Sequence, residues 1–206
     1  MVSACIMMLA GLSSATRTGI AMSADEKVLK DSKPVILDFL SAMIGEVHFD
    51  DFKVLGLWDV SEVKFRSVEI REEDCDVRLD GSDVVIDVRD AGGSFSGKAS
   101  KPKLFGGRDE FSFDFHVDKG GFKQMHFEFG LGKQFVDGRT LPAIQVHKGQ
   151  FEFDHNKIRL DINTDDWLLK TGSFLIDTFK AAYLAVLAPI LNLSFPAMAN
   201  MAIGAV

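Results

Sequence analysis

Phe111-Ser-Phe-Asp-Phe-His-Val117, then Asp118-Lys-Gly-Gly121, then Met125-His-Phe-Glu-Phe-Gly-Leu131 form the stretch from which the fold is read. Apolar residues fall on every second position in both arms, the period of a strand with one dry and one wet face. Phe111, Phe113, Phe115 and Val117 share the dry face of the first arm, and Met125, Phe127, Phe129 and Leu131 that of the second. With Gly120-Gly121 between them, the arms read as a hairpin in which Phe115 faces Met125 and Phe113 faces Phe127. On the wet side Asp114 then faces His126. The alternation returns in Phe151-Glu-Phe153 and in Ile158-Arg-Leu-Asp-Ile162. A sheet this one-sided must lay its rings on something apolar, and the large apolar partners are two helical stretches near the ends.

The rest of the 206 residues supplies those partners. Residues 24–44 read as a helix capped by Ser23 or Asp25, with Ile36, Phe39, Leu40 and Met43 at helical spacing; Pro34 kinks it or starts a second helix, and Gly45 ends it. Strands follow at 46–55 and 60–70, the latter with a parity slip near Ser67 that signals a bulge. Residues 76–79 and 84–88 flank Asp80-Gly-Ser-Asp83, a hairpin signal. Residues 132–140 read as a flexible loop, and Ile144 to Val146 rejoin the sheet. From Asp165 or Thr164 the period becomes helical, with Leu168, Leu175, Phe179, Ala182 and Val186 on one face. No charge follows Lys180. That tail is long enough to span a bilayer, but Pro189, Asn192, Pro196 and Asn200 favour a helix broken at a proline and lying under the sheet.

Composition narrows the function. Eighteen Phe against one Tyr and two Trp suit a dry surface rather than a protein or base recognition face. A net charge of -7 argues against nucleic acid as partner. The exception is residues 97–108, where Lys98, Lys101, Lys103 and Arg108 surround Leu104 and Phe105. Cations beside an exposed apolar pair suit an anionic lipid surface, and equally a solvated hairpin tip. The five histidines are scattered without zinc spacing, Cys5 and Cys75 form neither a metal cluster nor a disulfide framework, and Asp165-Asp166 serves a helix start. Nucleophile elbow and phosphate loop are both missing from the sequence, so no enzyme is expected and no cofactor or metal. Residues 1–17 read as a signal peptide or leader with a short apolar core but no basic start. Secretion is therefore expected, an intracellular membrane-associated protein being the alternative.

In their order, a short strand at residues 19–22, a long helix, long antiparallel strands, and a second helix opened by Trp167-Leu-Leu169 resemble the N-terminal barrel of the family of bactericidal/permeability-increasing protein, lipopolysaccharide-binding protein and cholesteryl ester transfer protein, the tubular lipid-binding (TULIP) superfamily. Ser96-Gly-Lys98 and the basic run to Lys103 are similar to that family's endotoxin-contacting hairpin tip. The resemblance covers residues 19–206. It implies a single α+β domain over residues 18–206, a highly curved antiparallel sheet wrapped around two long helices with an apolar tunnel between. It implies acyl chains among Leu40, Phe65, Phe113, Phe115, Phe127, Phe129, Ile144, Phe153, Leu175 and Phe179. Anionic headgroups of phospholipid or lipopolysaccharide would meet Lys98, Lys101, Lys103 and Arg108, while Leu104 and Phe105 touch the membrane transiently. The family's sheet-to-helix disulfide has no counterpart here, the acidic balance argues against bactericidal action, and a second barrel is missing. The rival expectation is a structural or interaction protein whose ring face is filled by its own side chains and whose apolar tail serves homodimerisation or membrane anchoring.

Overall fold

The computed structural model describes residues 26–47, 49–102, 107–136, 139–163 and 173–204. The leader, the strand at 19–22, the cap at 23–25, Lys103, Leu104, Phe105 and the Trp167 helix entry lie outside the described residues, as does the side chain of Leu175. The fold is α+β: a seven-stranded antiparallel sheet and, among the described residues, two long helices. Helix α1 is Glu26–Gly45, and α2 is Ser173–Gly204. The strands are β1 (Phe52–Val54), β2 (Trp58–Glu69), β3 (Cys75–Asp80), β4 (Asp83–Pro102), β5 (Arg108–Val136), β6 (Arg139–Phe153) and β7 (Ile158–Asn163).

The topology is a four-track meander. β2 continues through a 3₁₀ turn, Glu72–Asp74, into β3, and both pair with β4: Glu69 opposite Gly92, Cys75 opposite Val88. β4 pairs with β5 along nearly its whole length. β6 and β7, joined by the turn His155–Lys157, share the other side of β5: Phe122 opposite Phe153, Val117 opposite Ile158. Every track bends at the same level. The bend falls at Glu72–Asp74, at Asp90 and Gly93 with positive φ, at Gly120 with φ 80, and at His155–Lys157. Side chains lace this fold line: Asp74 pairs with Arg71 and Lys119, and Asp118 with Arg159.

The bend corrects the expected hairpin at Asp118 to Gly121. β5 runs straight through, and its two arms do not pair with each other: Phe115 faces Phe95 and Phe127 faces Ile86. Asp114 consequently bonds Arg66 at 3.1 Å, while His126 lies between Asp87 and Glu128. Glycine pairs permit a bend as readily as a reversal, and the neighbouring strands decide which occurs. The described residues of 132–140 are likewise strand rather than open loop, Val136 standing opposite Arg139 in the β5–β6 pair. Only residues 52–54 of the expected strand at 46–55 form one. The expected bulge near Ser67 and the hairpin closed by Asp80 opposite Asp83 are both present.

Both helices lay apolar stripes on the aromatic face and share one core with it. α1 contributes Ile36, Leu37, Phe39, Leu40, Met43 and Ile44; α2 contributes Phe179, Tyr183, Leu184, Leu187, Leu191, Phe195 and Ala199. Neither helix breaks at its prolines. In α2 the buried pairs Leu187 with Leu191 and Phe195 with Ala199 straddle Pro189 and Pro196, so packing on the sheet holds the helical path across each missing N–H. The ring of Phe195 sits tight over Gly149 of β6, where a Cβ would overlap it.

Candidate lipid site

The expected pocket residues converge. Leu40, Phe65, Phe113, Phe115, Phe127, Phe129, Ile144, Phe153 and Phe179 all belong to the shared core and are all buried. What faces them is largely the helices. Tyr183 of α2 stacks on Phe115 at 4.8 Å and meets Phe113 edge-on at 5.1 Å, while Phe95 stacks on Phe115 at 4.7 Å. Phe195 packs against Phe127 at 5.3 Å and Phe151 at 5.0 Å. Offset and edge-on pairs of this kind each add about 0.5–1.5 kcal/mol beyond area burial.

Two polar atoms sit in this packing without a partner. Trp58 Nε1 and Tyr183 Oη are buried with no hydrogen bond among the described residues. Burial pushes the Tyr183 hydroxyl far above the usual phenol range, so it stays a neutral donor. The sequence carries one signal for it, a lone Tyr among eighteen Phe in a charge-free segment. Trp58 carries no comparable signal in the sequence.

The basic stretch is more strand than loop. Lys98 lies in β4, opposite Ser61 of β2 and Ser112 of β5, and Ser112 in turn faces Asn163 of β7. These four residues line an open surface groove of about 450 Å³, with Glu62 and Glu110 also on its wall. Lys98 Nζ donates to Glu62 at 2.7 Å, both side chains more than half exposed. Arg108 donates to Asp59 and Ser100, and Lys101 stands opposite Asp109. Hydrogen bonds from Arg108 and then Lys53 hold the Asp59 carboxyl below the usual range. Exposed pairs such as Lys98 with Glu62 are worth about 0–1 kcal/mol, so this pair ties Lys98 down only weakly.

The same end of the sheet carries the β1–β2 tip. Asp59, next to Trp58, pairs with Ser100, close to where β4 ends. There Leu55 and Leu57 are more than half exposed, and Leu55 holds a positive φ of 52. The turn thus presents two leucines to solvent at this end of the sheet.

Helix α2 has a second apolar face. Residues Ile176–Met201 are long and apolar enough to cross a membrane, yet only 28% of that window is buried. Leu193 is 84% and Met201 69% exposed, far from the fully covered helix that such a composition demands in a soluble core. A free edge is satisfied underneath: Asn192 Oδ1 accepts from Phe151 N–H, and Asn200 brackets the backbone of Val146. Among the described residues, no group of His, Cys, Asp and Glu forms a metal site.

A crystal structure of a lipopolysaccharide binding protein overlaps the chain with a TM-score of 0.44 and 16% identity, over 85% of this chain and 40% of that one. The chain thus spans under half the length of that protein. Neither a family model nor a curated protein matches the sequence. A likeness this distant assigns neither family nor activity.

Proposed function

We propose that this protein is a non-enzymatic, secreted lipid-binding protein, whose sheet curls around α1 and α2 to hold the acyl chains of one ligand. The observation that carries this reading is α2, uncharged beyond Lys180, with one face against the rings and the other exposed at Leu193 and Met201. A surface of that kind needs an apolar phase beyond the protein's own side chains. The acyl chains lie along the seam between α2 and the sheet, bounded by Phe113, Phe127, Phe129, Leu40 and Phe179. The headgroup meets Lys98, Lys101 and Arg108, with Lys103, Leu104 and Phe105 completing the membrane contact. Each methylene kept from water contributes roughly 0.8 kcal/mol, a gain that bilayer and protein both offer, so exchange of a chain between them is close to balanced. The test is native mass spectrometry of the purified protein followed by denaturing lipid extraction. A stoichiometric lipid supports the reading; an apo mass that persists after incubation with phospholipid and lipopolysaccharide rejects it.

A second reading is favoured by the Phe95, Phe115 and Tyr183 stack, which fills the ring face with protein. In it the protein is an interaction module, and the outer face of α2 meets a second copy or a membrane. Leu193→Lys with Met201→Lys then abolishes self-association in sedimentation or liposome flotation, while lipid extracted from the protein is absent before and after. Loss of neither property rejects the second reading.

A further inference from the structure

The two unpartnered donors belong to one cluster. Phe179 links them: its ring centroid lies 5.5 Å from that of Trp58 and 5.8 Å from that of Tyr183. Trp58 stands directly behind the exposed Leu55 and Leu57 tip, and Phe52 of the short edge strand β1, half-buried, packs 5.7 Å from Tyr183. Tyr183 is fully buried and Trp58 is 7% exposed. Native cores seldom leave such groups unbonded, because a stranded donor forfeits its hydrogen bonds to water without replacement. Two in one cluster, on separate elements, point to an acceptor supplied from outside.

We propose that Trp58 Nε1 and Tyr183 Oη form an internal polar subsite that receives the carbonyl oxygen of a neutral acyl ester, entering past Leu55, Leu57 and Phe52. This rests on the lipid-binding reading above and specifies its ligand. The class follows from charge. Besides Trp58 and Tyr183 themselves, Ser96 is the one buried polar or charged side chain among the described residues. The nearby cation Lys180 donates to the Ile158 carbonyl at 2.8 Å, so no free cation stands in the core to pair a carboxylate. A free fatty acid carries its charge into a site offering only neutral donors, at a large desolvation penalty, whereas an ester carbonyl carries no charge and exchanges its bonds to water for the N–H and O–H. A plain hydrocarbon leaves both donors stranded. The subsite therefore discriminates at the acyl ester linkage inside the core, separately from the lysines that meet a headgroup at the surface.

The experiment uses the full-length protein and three probes of matched chain length: methyl oleate, oleate and octadecene, delivered from cyclodextrin and scored by bound fraction in native mass spectrometry. The expected order is ester above hydrocarbon by roughly tenfold, with oleate below the ester. Tyr183→Phe or Trp58→Phe lowers ester binding part of the way, and the double variant lowers it to the octadecene level, while octadecene binding is unchanged in all three. Equal binding of ester and octadecene overturns the subsite and leaves the lipid reading standing. Preference for oleate overturns the neutral class. Binding of none of the three overturns the lipid reading and the subsite with it. As a check on the apo protein, Tyr183→Phe keeps or raises Tm; a fall means that the hydroxyl is already satisfied and no ligand acceptor is required.

Discussion

Asn200 on α2 closes a two-bond ring with the backbone of Val146, its Oδ1 accepting from the N–H at 2.7 Å and its Nδ2 donating to the carbonyl at 3.1 Å. A side-chain amide here does what another strand would do for the edge of β6, and the outward apolar face of α2 is a consequence of that seating. Asn192 repeats the device with one bond, from Phe151 N–H at 2.6 Å. Removing the amide leaves edge groups of β6 under a helix, where unmade hydrogen bonds cost about 1–3 kcal/mol. Asn200→Leu, which strands the N–H and C=O of buried Val146, is expected to lower the urea unfolding free energy by about 2 kcal/mol, and Asn192→Leu, at an exposed amide with one bond, by about 1. Equal stability of Asn200→Leu and wild type would contradict this account of how α2 is held.

The fold line makes a different demand at Gly93. Its φ is 152, and a Cβ there would overlap the carbonyl oxygen of Ser67 across the β2–β4 pair. Backbone against backbone cannot relax as a flexible side chain does. Gly93→Ala is expected to cost about 1–3 kcal/mol of stability, whereas Gly45→Ala, with open space around its Cβ position, stays within about 0.5. Thermal denaturation of the two variants side by side decides it; similar Tm values remove the close approach from the argument.

Which parts of this fold could be read in advance follows from where each signal lives. Period-two alternation is local, so the dry faces were legible, and Phe111, Phe113, Phe115, Phe127 and Phe129 are all buried. The tight turn at Asp80 to Asp83 was legible because its register is fixed by adjacent residues. Asp118 to Gly121 was not, because Gly120 and Gly121 only permit a change of direction; β4 and β7, distant in sequence, convert it to a bend. The prolines of α2 misled for the same reason, their local cost being outweighed by packing on β6. Trp58 and Tyr183 were invisible as a site, since an unpartnered donor is defined by what surrounds it, and surroundings are tertiary. Lys98 was found by charge alone, yet its salt bridge to Glu62 could not be.

His126 gives the wet face a pH signature. Its two ring nitrogens lie 2.7 Å from Asp87 and 2.9 Å from Glu128, and Lys148 also reaches Glu128. Bonds from His126 and then Lys148 hold the Glu128 carboxyl below its ordinary value. At Asp87 burial pushes upward, but bonds from His126 and Arg78 outweigh it and the net direction is again down. A depressed folded pKa adds stability that is present above the ordinary carboxylate range and is lost as pH falls through the folded value. Wild type should therefore lose more Tm between about pH 5 and about pH 3 than His126→Gln, whose carboxylates have lost that partner. Parallel curves for the two proteins would show that the cluster is electrostatically silent.

Cys75 opens β3 at the fold line, 5% exposed, opposite Val88. Burial pushes its thiol up to about 11, with Lys33 acting the other way and Asp76 adding to the rise. The thiolate is the reactive form, and at about pH 8 a thiol with that value is ionised only to the order of one part in a thousand. Access compounds the effect, because the sulfur lies in the apolar core and an attacking reagent must first open the β3–β4 pair. In a Cys5→Ser background, Cys75 should stay unmodified by an aromatic disulfide reagent in native buffer and react stoichiometrically once urea passes the unfolding midpoint. Reactivity that climbs well before that midpoint would instead locate a local opening at the Glu72–Asp74 turn, and rapid labelling in native buffer would refute the buried thiol. Because labelling reads the opening of β3 alone, comparing it with the global unfolding curve tests whether the bent tracks unfold as one unit or come apart along the fold line.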